Sequence, residues 1–316
     1  MPLITPIGEE SPQNHVHIAV LDTDVPCPAV YAKRGMHSSR FRVLLQAAAG
    51  RLNQEAQELQ HGNIGIHVTA FDAVGGSYPP LSFLRSSPRS LNRTNASDSP
   101  GPVDVILVTG AAAAAYDDLP WIPALRSFIQ KVYADYPFVK IYGSCFGHQL
   151  IGQALLEGQE CSMGKDLPSK ISVEPSVLGH EIGVHPIVLN TQFSRRFSSL
   201  AEFSSERPVQ LQVIHGDIVT PSQDIPSHIG QSRVLTLQGH FEFDAFASGE
   251  LCRQFARTYN WTQSSLDTHL ANIWGSFESI DGPSGPYDDA KAVAEMVVLF
   301  FADEDRVLAA IPGKSS

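Results

Sequence analysis

Short apolar runs rich in β-branched residues alternate along the chain with longer segments of helical spacing. The runs "HVHIAVLD" (15–22) and "IGIHVTAFDA" (64–73) enclose "FRVLLQAAAGRLNQEAQELQ", which is composed largely of good helix formers. Two further runs, "VDVILVTG" (103–110) and "FVKIYGSC" (138–145), enclose the helical pattern "WIPALRSFIQKVYADY". Continuous apolar strands that alternate with helices are typical of a parallel sheet covered on both faces. The pattern therefore predicts an α/β fold with a mostly parallel sheet.

The rest of the chain predicts one domain with two additions. The segments "GHEIGVHPIVLN", "VQLQVIHGDIV" and "SRVLTLQGHFEF" predict later strands, and the pattern beyond them is helical apart from "SIDGPSGPYDD". Residues 85–102 are rich in Ser, Pro, Asn and Arg, which indicates a mobile surface insertion. A linker between two domains is less favoured, because the strands on either side belong to one predicted sheet. We therefore predict a single domain over residues 1–316, with a core at about 15–245 and a helical C-terminal extension at 246–316.

Composition and charge narrow the function classes. The chain of 316 residues has 43% hydrophobic and 17% charged residues, as in ordinary globular proteins. No apolar run approaches the roughly 20 residues that span a bilayer, and the N-terminus lacks a secretory pattern, so we expect a cytoplasmic protein. The net charge of −11 is spread along the chain, which argues against nucleic acid or an anionic membrane as partner.

The sequence predicts no metal site and no cofactor. The four cysteines are widely spaced without a CxxC pair, so they suggest neither a disulfide framework nor a zinc ribbon: Cys27, Cys145, Cys161 and Cys252. The histidines of "HEIGVH" (180–185) are five positions apart, whereas the zinc-protease pattern places them four apart. The segment "TGAAAAAYDD" has neither of the glycine patterns of nucleotide-binding loops.

One cysteine stands where an apolar strand gives way to a helix. In "IYGSCFGHQL", Gly143 and Gly147 flank Cys145 and make a sharp turn easier to form. A cysteine at a helix N-terminus meets the positive end of the helix dipole, and the free N–H groups of the first turn can donate to an oxyanion. A buried structural cysteine is the alternative explanation for this position taken alone.

A histidine and a glutamate farther along the chain complete a candidate triad. His240 follows an apolar strand in "VLTLQGHFEFD", and Glu242 comes two positions later. Positions two apart in an extended chain project to the same side, so the carboxylate can accept the imidazole N–H. A core histidine beside a solvated glutamate remains an alternative for the pair taken alone.

These residues resemble the motifs of a known family. "GSCFGHQ" matches the G-x-C-x-G-x-Q nucleophile motif of class I glutamine amidotransferase domains, and "QGHFE" resembles their H-P-E motif. The resemblance runs from about His15 to Asp244, and it includes "VTGAAAAAYDDLPWIPALRSFI" and "IHGDIV" in the family's order. Free-standing GMP-synthase-like proteins of fungi and plants are the most similar in style, and some of these act as γ-glutamyl peptidases. The resemblance implies a flavodoxin-like three-layer sandwich.

The resemblance also implies the catalytic roles. Cys145 becomes the nucleophile, His240 the general base and then acid, and Glu242 the residue that orients His240. The thiolate is expected to attack the γ-carbonyl of a γ-glutamyl amide and to form a γ-glutamyl thioester, which water then hydrolyses.

The same resemblance implies residues that bind substrate. The N–H groups of Phe146 and of the loop at Gly110 and Ala111 would form the oxyanion hole, and Gln149 would line the glutamyl pocket. Two positions depart from the family. Ala111 stands where a second glycine is common, which predicts strain if the position needs a positive φ. Phe241 replaces the proline of H-P-E, which loses backbone rigidity but keeps the His to Glu spacing.

Three functions stay open on the sequence alone. The first is a cysteine hydrolase that cleaves a small γ-glutamyl substrate. The second is a glutaminase subunit that delivers ammonia to a separate synthase, because the chain shows no second catalytic unit. The third is a non-catalytic binding protein that retains the fold. We predict that His215 and Asp217 of "HGD" shape a turn rather than contact substrate, and that His148 is a packed or surface residue.

Overall fold

A parallel sheet is the centre of the fold in the computed structural model, which describes residues 14–59, 64–88, 101–156, 172–176, 179–187, 209–215, 217–220, 233–274 and 289–302. The strands within these residues are β1 (Asn14–Asp22), β2 (Ile64–Asp72), β3 (Val105–Val108), β4 (Lys140–Ser144), β5 (Ser172–Pro175), β6 (Glu181–Ile187), β7 (Val209–His215), β8 (Asp217–Thr220) and β9 (Val234–Leu237). The sheet has the order β2-β1-β3-β4-β9, and every neighbouring pair is parallel. This order is that of a flavodoxin-like sheet, which confirms the predicted fold class.

Helices lie on both sides of this sheet. They are α1 (Pro28–Arg34), α2 (His37–Leu59), α3 (Trp121–Asp135), α4 (Phe146–Leu156), α5 (Ala245–Thr258), α6 (Gln263–Trp274) and α7 (Ala290–Ala302), with a short 3-10 turn at Leu81–Phe83. None of the helices in the described ranges is long and apolar enough to cross a membrane.

The central strand β1 explains why both faces are covered. Successive side chains of a strand point to opposite faces, so a continuous apolar run needs a partner layer on each side. Ile18 and Val20 pack in one core cluster with residues of α2 and α7, whereas Ala19 and Leu21 pack in another with residues of α3 and α4. The three layers are therefore α2 and α7, the sheet, and α3 and α4.

A smaller core lies near the carboxyl ends of the strands. Strands β6 and β7 form an antiparallel pair, and so do β5 and β8. Ile182 and Ile214 of the first pair pack with residues of α1, α5 and α6. This third cluster places the C-terminal helices α5 and α6 beside the end of the sheet where β4 meets α4.

Two described regions can be compared with the predicted extension and the predicted insertion. Helix α7, from the predicted extension, packs against α2 in the main core, where Arg51 pairs with Glu295. Most of the predicted insertion, residues 89–100, lies outside the described residues. The chain on either side of it is joined by a parallel bridge between Leu84 and Val103. The division into core, insertion and extension stays a prediction.

The close approach of α4 to the sheet predicts a large effect of one added methyl group. A Cβ atom on Gly147 would lie 2.4 Å from the backbone oxygen of Val108. Since neither backbone can move without disturbing β3 or α4, we expect Gly147→Ala to lower the free energy of unfolding by about 3 kcal/mol. Urea unfolding followed by circular dichroism measures this change.

The matched control is a glycine of α2. A Cβ atom on Gly50 meets nothing within 4 Å. Gly50→Ala should therefore raise the free energy of unfolding by up to about 1 kcal/mol, through helix propensity alone. Equal stabilities of the two variants would contradict the packing that the structure shows at Gly147.

Candidate active site

The backbone of Cys145 forms a sharp turn between β4 and α4. Its φ of 50° is in the left-handed region, which Asn260 alone shares among the non-glycine residues of the described ranges. The turn is held by the Cys145 N–H, which donates to the Leu237 carbonyl at 2.9 Å, and by the Gln149 N–H, which donates to the Cys145 carbonyl at 3.1 Å. Strain of this kind at a buried cysteine is typical of a nucleophile held at the end of a strand.

His240 is fixed on several sides. Its backbone N–H donates to the Gln212 carbonyl at 2.7 Å, and its ring stacks on Phe243 at 4.0 Å between centroids, with the planes 8° apart. Nδ1 lies 2.7 Å from Oε1 of Glu242. Nε2 is buried and has no hydrogen-bond partner among the described residues. The pairing at Nδ1 orients the ring and leaves Nε2 for another group.

Glu242 is buried, and its carboxylate is held by two donors. Oε1 accepts from Ser144 Oγ at 2.9 Å as well as from the His240 ring. The guanidinium of Arg40 donates to the backbone carbonyl of Glu242. His37 is close enough to Glu242 for their charges to interact, but burial lowers the pKa of His37 to about 4, so it remains neutral near pH 7. The charged groups near the Glu242 carboxylate are therefore the His240 ring, which is hydrogen-bonded to it, and the Arg40 guanidinium.

The pKa shifts of the two residues favour an ion pair. Burial by itself lowers the pKa of His240, but the Glu242 carboxylate and the Cys145 sulfur raise it more, so the pKa is above its usual value. Burial by itself raises the pKa of Glu242, but interaction with His240 lowers it more, so that pKa is below its usual value. A protonated imidazole beside the Cys145 sulfur is the arrangement that activates a cysteine nucleophile.

Gly110 lies between the cysteine and the histidine. A Cβ atom on Gly110 would be 3.2 Å from Cε1 of His240 and 3.6 Å from Cβ of Cys145. The loop is anchored to the end of β1, since Thr23 Oγ1 donates to the Gly110 carbonyl at 3.0 Å and Asp24 Oδ2 accepts from the Ala112 N–H at 2.9 Å. The structure therefore brings the predicted oxyanion loop to Cys145 and His240.

The two departures from the family have structural explanations. Ala111 is not among the described residues with positive φ, so an alanine is accommodated there without the strain that the sequence suggested. The Phe241 side chain is buried in the main core, with its ring 5.5 Å from that of Phe41 and 6.2 Å from that of Tyr142. Aromatic packing thus holds the segment that a proline would have stiffened.

A cavity of about 280 Å³ opens at the Cys145 side of this arrangement. The predicted substrate residues Ala111, Phe146 and Gln149 line it together with Cys145. Phe146 is the first residue of α4, so its N–H has no acceptor within the helix and can donate to an oxyanion. His240 is buried and is not among the described residues that line the cavity.

Gln238 connects two of these residues. Its Nε2 donates to the Cys145 sulfur at 3.5 Å, and its Oε1 accepts from Gln149 Nε2 at 3.2 Å. The sequence analysis did not assign Gln238 a role, although it is the first residue of the "QGHFE" segment. It fixes the amide of Gln149 relative to the nucleophile.

The cavity also contains residues that the sequence did not predict. Tyr116, His180, Phe255 and Tyr259 line it. His215 lines it too, and its Nε2 lies 3.3 Å from Oε2 of Glu181, so the prediction that it only shapes a turn is too narrow. The "IHGDIV" match was a signal for His215, whereas no motif marks the other four.

The remaining histidines singled out in the sequence have other partners. His148 Nδ1 lies 2.9 Å from Thr236 Oγ1, which fits its prediction as a packed residue. The two histidines of "HEIGVH" face different neighbours: His180 packs against Tyr259, and His185 Nε2 lies 3.3 Å from the Ile182 carbonyl.

Comparison with known proteins gives relatives for part of the chain. No family model matches it. A Schizosaccharomyces pombe protein named as a putative glutamine amidotransferase-like protein is 29% identical over 44% of this chain and 47% of its own length. A Saccharomyces cerevisiae protein named as a putative glutamine amidotransferase is also 29% identical, over 44% of this chain and 53% of its own length. The matched region thus spans about half the length of these relatives.

Comparison with solved structures extends over nearly the whole chain. The crystal structure of a glutamine amidotransferase from Thermotoga maritima superimposes with a TM-score of 0.50, and the match covers 92% of this chain and 99% of that one. The sequence identity is 13%, so this likeness shows the fold alone. The sequence relatives and the fold together confirm the resemblance to the class I glutamine amidotransferase-like family.

Proposed function

We propose that this protein is a cysteine hydrolase that cleaves a γ-glutamyl amide through a γ-glutamyl thioester on Cys145. The observation that carries the proposal is a strained cysteine, with φ 50°, that lines a cavity while the buried His240–Glu242 pair lies beside the same glycine, Gly110. A nucleophile, a base and an orienting carboxylate are the three groups that covalent acyl transfer needs.

The first half of the reaction forms the thioester. The Cys145 thiolate attacks the γ-carbonyl carbon, and a carbon–sulfur bond forms while the carbonyl oxygen becomes an oxyanion. The N–H groups of Phe146, Gly110 and Ala111 donate to this oxyanion. The carbon–nitrogen bond then breaks, and the leaving nitrogen takes the proton from Nε2 of His240, so that ammonia or an amine departs. Loss of one oxyanion donor typically costs about 10²- to 10³-fold in rate.

The second half releases glutamate. Neutral His240 takes a proton from water as the water oxygen attacks the thioester carbon, and the carbon–sulfur bond breaks to return the thiolate. Glu242 stabilises the imidazolium that forms, which is the same interaction that raises the pKa of His240. Gln238 donates to the sulfur and holds it in position beside the thioester carbon.

A glutaminase subunit that supplies ammonia to a separate synthase is the second candidate. The names of the two relatives support it, since one is named a putative glutamine amidotransferase-like protein and the other a putative glutamine amidotransferase. The chemistry at Cys145 is the same in both cases, so the two functions differ in substrate and in dependence on a partner.

Glutamate release by the purified chain tests the proposal. Glutamine and a set of γ-glutamyl dipeptides are incubated with the protein alone. Acid-quenched samples are analysed by intact-protein mass spectrometry to detect the thioester. We expect release from at least one γ-glutamyl amide without a partner. Slow release from glutamine only would favour the ammonia-supplying function, and absence of both release and thioester would overturn the hydrolase proposal.

A further inference from the structure

One side of the cavity is built from aromatic rings. His180, Phe255 and Tyr259 all line it, and we call these three residues the aromatic wall. The ring centroids of His180 and Tyr259 are 4.7 Å apart, and those of Phe255 and Tyr259 are 5.7 Å apart with the planes at 82°. Trp261 supports His180 from 5.1 Å. The mutual packing holds the wall in one arrangement beside the nucleophile.

The wall retains surface for a ligand. Tyr259 is 49% exposed although its ring packs against two members of the cluster, and Tyr116, which also lines the cavity, is 41% exposed. The cavity volume of about 280 Å³ is at the lower end of the roughly 300–1,000 Å³ found for small-molecule sites. A glutamyl group with one further ring therefore fits the available space better than a long peptide.

The described part of the lining offers no ion-pair partner of fixed charge. Within the described ranges, the lining contains no aspartate, glutamate, lysine or arginine. An anionic leaving group would lose hydration and meet the negative faces of the rings, whereas an aromatic ring gains both apolar burial and edge-to-face or offset contacts. Ring contacts of this kind are worth about 3- to 10-fold in affinity beyond the area they bury.

We propose that the aromatic wall binds the amine that leaves from the γ-glutamyl unit, and that this amine carries an aromatic ring. The inference rests on the proposed function and names its substrate class: γ-glutamyl amides whose leaving group is an arylalkyl amine without an acidic substituent. In the thioester-forming step a bond forms between the Cys145 sulfur and the γ-carbonyl carbon, and the bond between that carbon and the amine nitrogen breaks. The arylalkyl amine departs with the proton of His240 Nε2, and water later releases glutamate.

Two substrates of equal size test the role of the ring. The values of kcat/KM are measured for γ-glutamyl benzylamide and γ-glutamyl cyclohexylmethylamide, whose leaving amines are of similar size. Benzylamine is the weaker base and the better leaving group, so the contribution of the aromatic wall is the part of the preference that Tyr259→Leu removes. We expect the native protein to prefer the benzylamide by about 10-fold. Tyr259→Leu should reduce this preference by about 3- to 10-fold, because the ring contact is lost while the intrinsic difference between the two amines remains. Tyr31→Leu is the matched control, because Tyr31 is 51% exposed on α1 and is not among the described lining residues.

A binding measurement separates failure of the inference from failure of the proposed function. Calorimetry with the Cys145→Ala variant measures the affinity of both amides without turnover, and it is repeated in the Tyr259→Leu background. If no substrate is hydrolysed, a ring preference in binding that Tyr259→Leu removes still supports the aromatic wall as the subsite. Equal affinities and rates for the two amides, or an unchanged preference in Tyr259→Leu, would overturn the inference while release of glutamate leaves the proposed function standing.

Discussion

Replacing Cys145 with alanine is expected to lower glutamate release by at least about 10⁴-fold and to abolish the thioester seen by intact mass. The sulfur is the atom that attacks the γ-carbonyl, and neither His240 nor Glu242 can replace it as a nucleophile. The residual rate would come from the oxyanion donors and from substrate positioning. Initial rates of glutamate release under saturating substrate measure the change.

Cys27→Ala is the control for this prediction. Cys27 is another buried free cysteine, but it packs in the cluster with α1 and α5 rather than at the cavity. Its loss removes a similar volume from a core and should leave the rate within about threefold of the native value, with a small loss of stability. Equal activity of Cys145→Ala and Cys27→Ala would mean that the thiol of Cys145 does no chemistry.

Replacing Glu242 with glutamine should lower the rate by about 10³-fold. The amide has the same shape as the carboxylate but no charge, so the imidazolium of His240 loses its buried counterion. The pKa of His240 should fall, because the Glu242 carboxylate is one of the groups that raise it. Nitrogen chemical shifts of the His240 ring as a function of pH measure the pKa, and this readout does not depend on substrate.

Glu295→Gln provides the comparison for Glu242→Gln. Glu295 pairs with Arg51 between α2 and α7, at a distance from the site, so its substitution tests the loss of a carboxylate charge as such. We expect native activity and an unchanged pKa of His240 in this variant. A pKa of His240 that is the same in Glu242→Gln as in the native protein would exclude the orienting role of Glu242.

Sequence patterns predicted the strands that are buried on both faces. The run at 15–22 became β1, which is buried along almost its whole length, as its continuous apolar character predicts. The run at 64–73 became β2, which lies at the edge of the sheet and is mostly half-buried or exposed, so its β-branched residues rather than burial on both faces marked it as a strand. The run at 103–110 was too long. Val103 pairs with Leu84 instead of joining β3, and such a bridge depends on a distant residue that periodicity does not reveal.

Short elements were missed for a related reason. Helix α1 has seven residues and makes few internal hydrogen bonds, so it depends on the burial of Val30 in the third cluster. Strand β5 has four residues and exists by pairing with β8, more than forty positions later. Neither element is predicted by its local sequence, because each depends on contacts with residues far away in the chain.

The residues of the candidate site also differ in whether local sequence predicts them. Cys145, His240 and Glu242 were predicted because their chemistry imposes local spacing: a turn between small residues, and a histidine and a glutamate two positions apart just after β9. Phe255 and Tyr259 carry no such spacing, since α5 is placed beside the cavity by its packing on α1, α6 and β7. Residues that bind the variable part of a substrate are commonly of this second kind, because their positions are set by tertiary packing.

The position of α7 has a consequence for synthesis of the chain. The sheet face that carries Ile18 and Val20 is covered in part by α7, which is made long after β1 because most of the described chain lies between the two. A ribosome makes roughly 5–20 residues per second, so α7 is synthesised about ten seconds or more after β1, and this sheet face is not fully covered until then. During that interval the nascent sheet presents an apolar surface that chaperones recognise and that promotes aggregation. The main core is thus expected to be completed only once α7 has been made, so that folding of the sheet lags behind its synthesis.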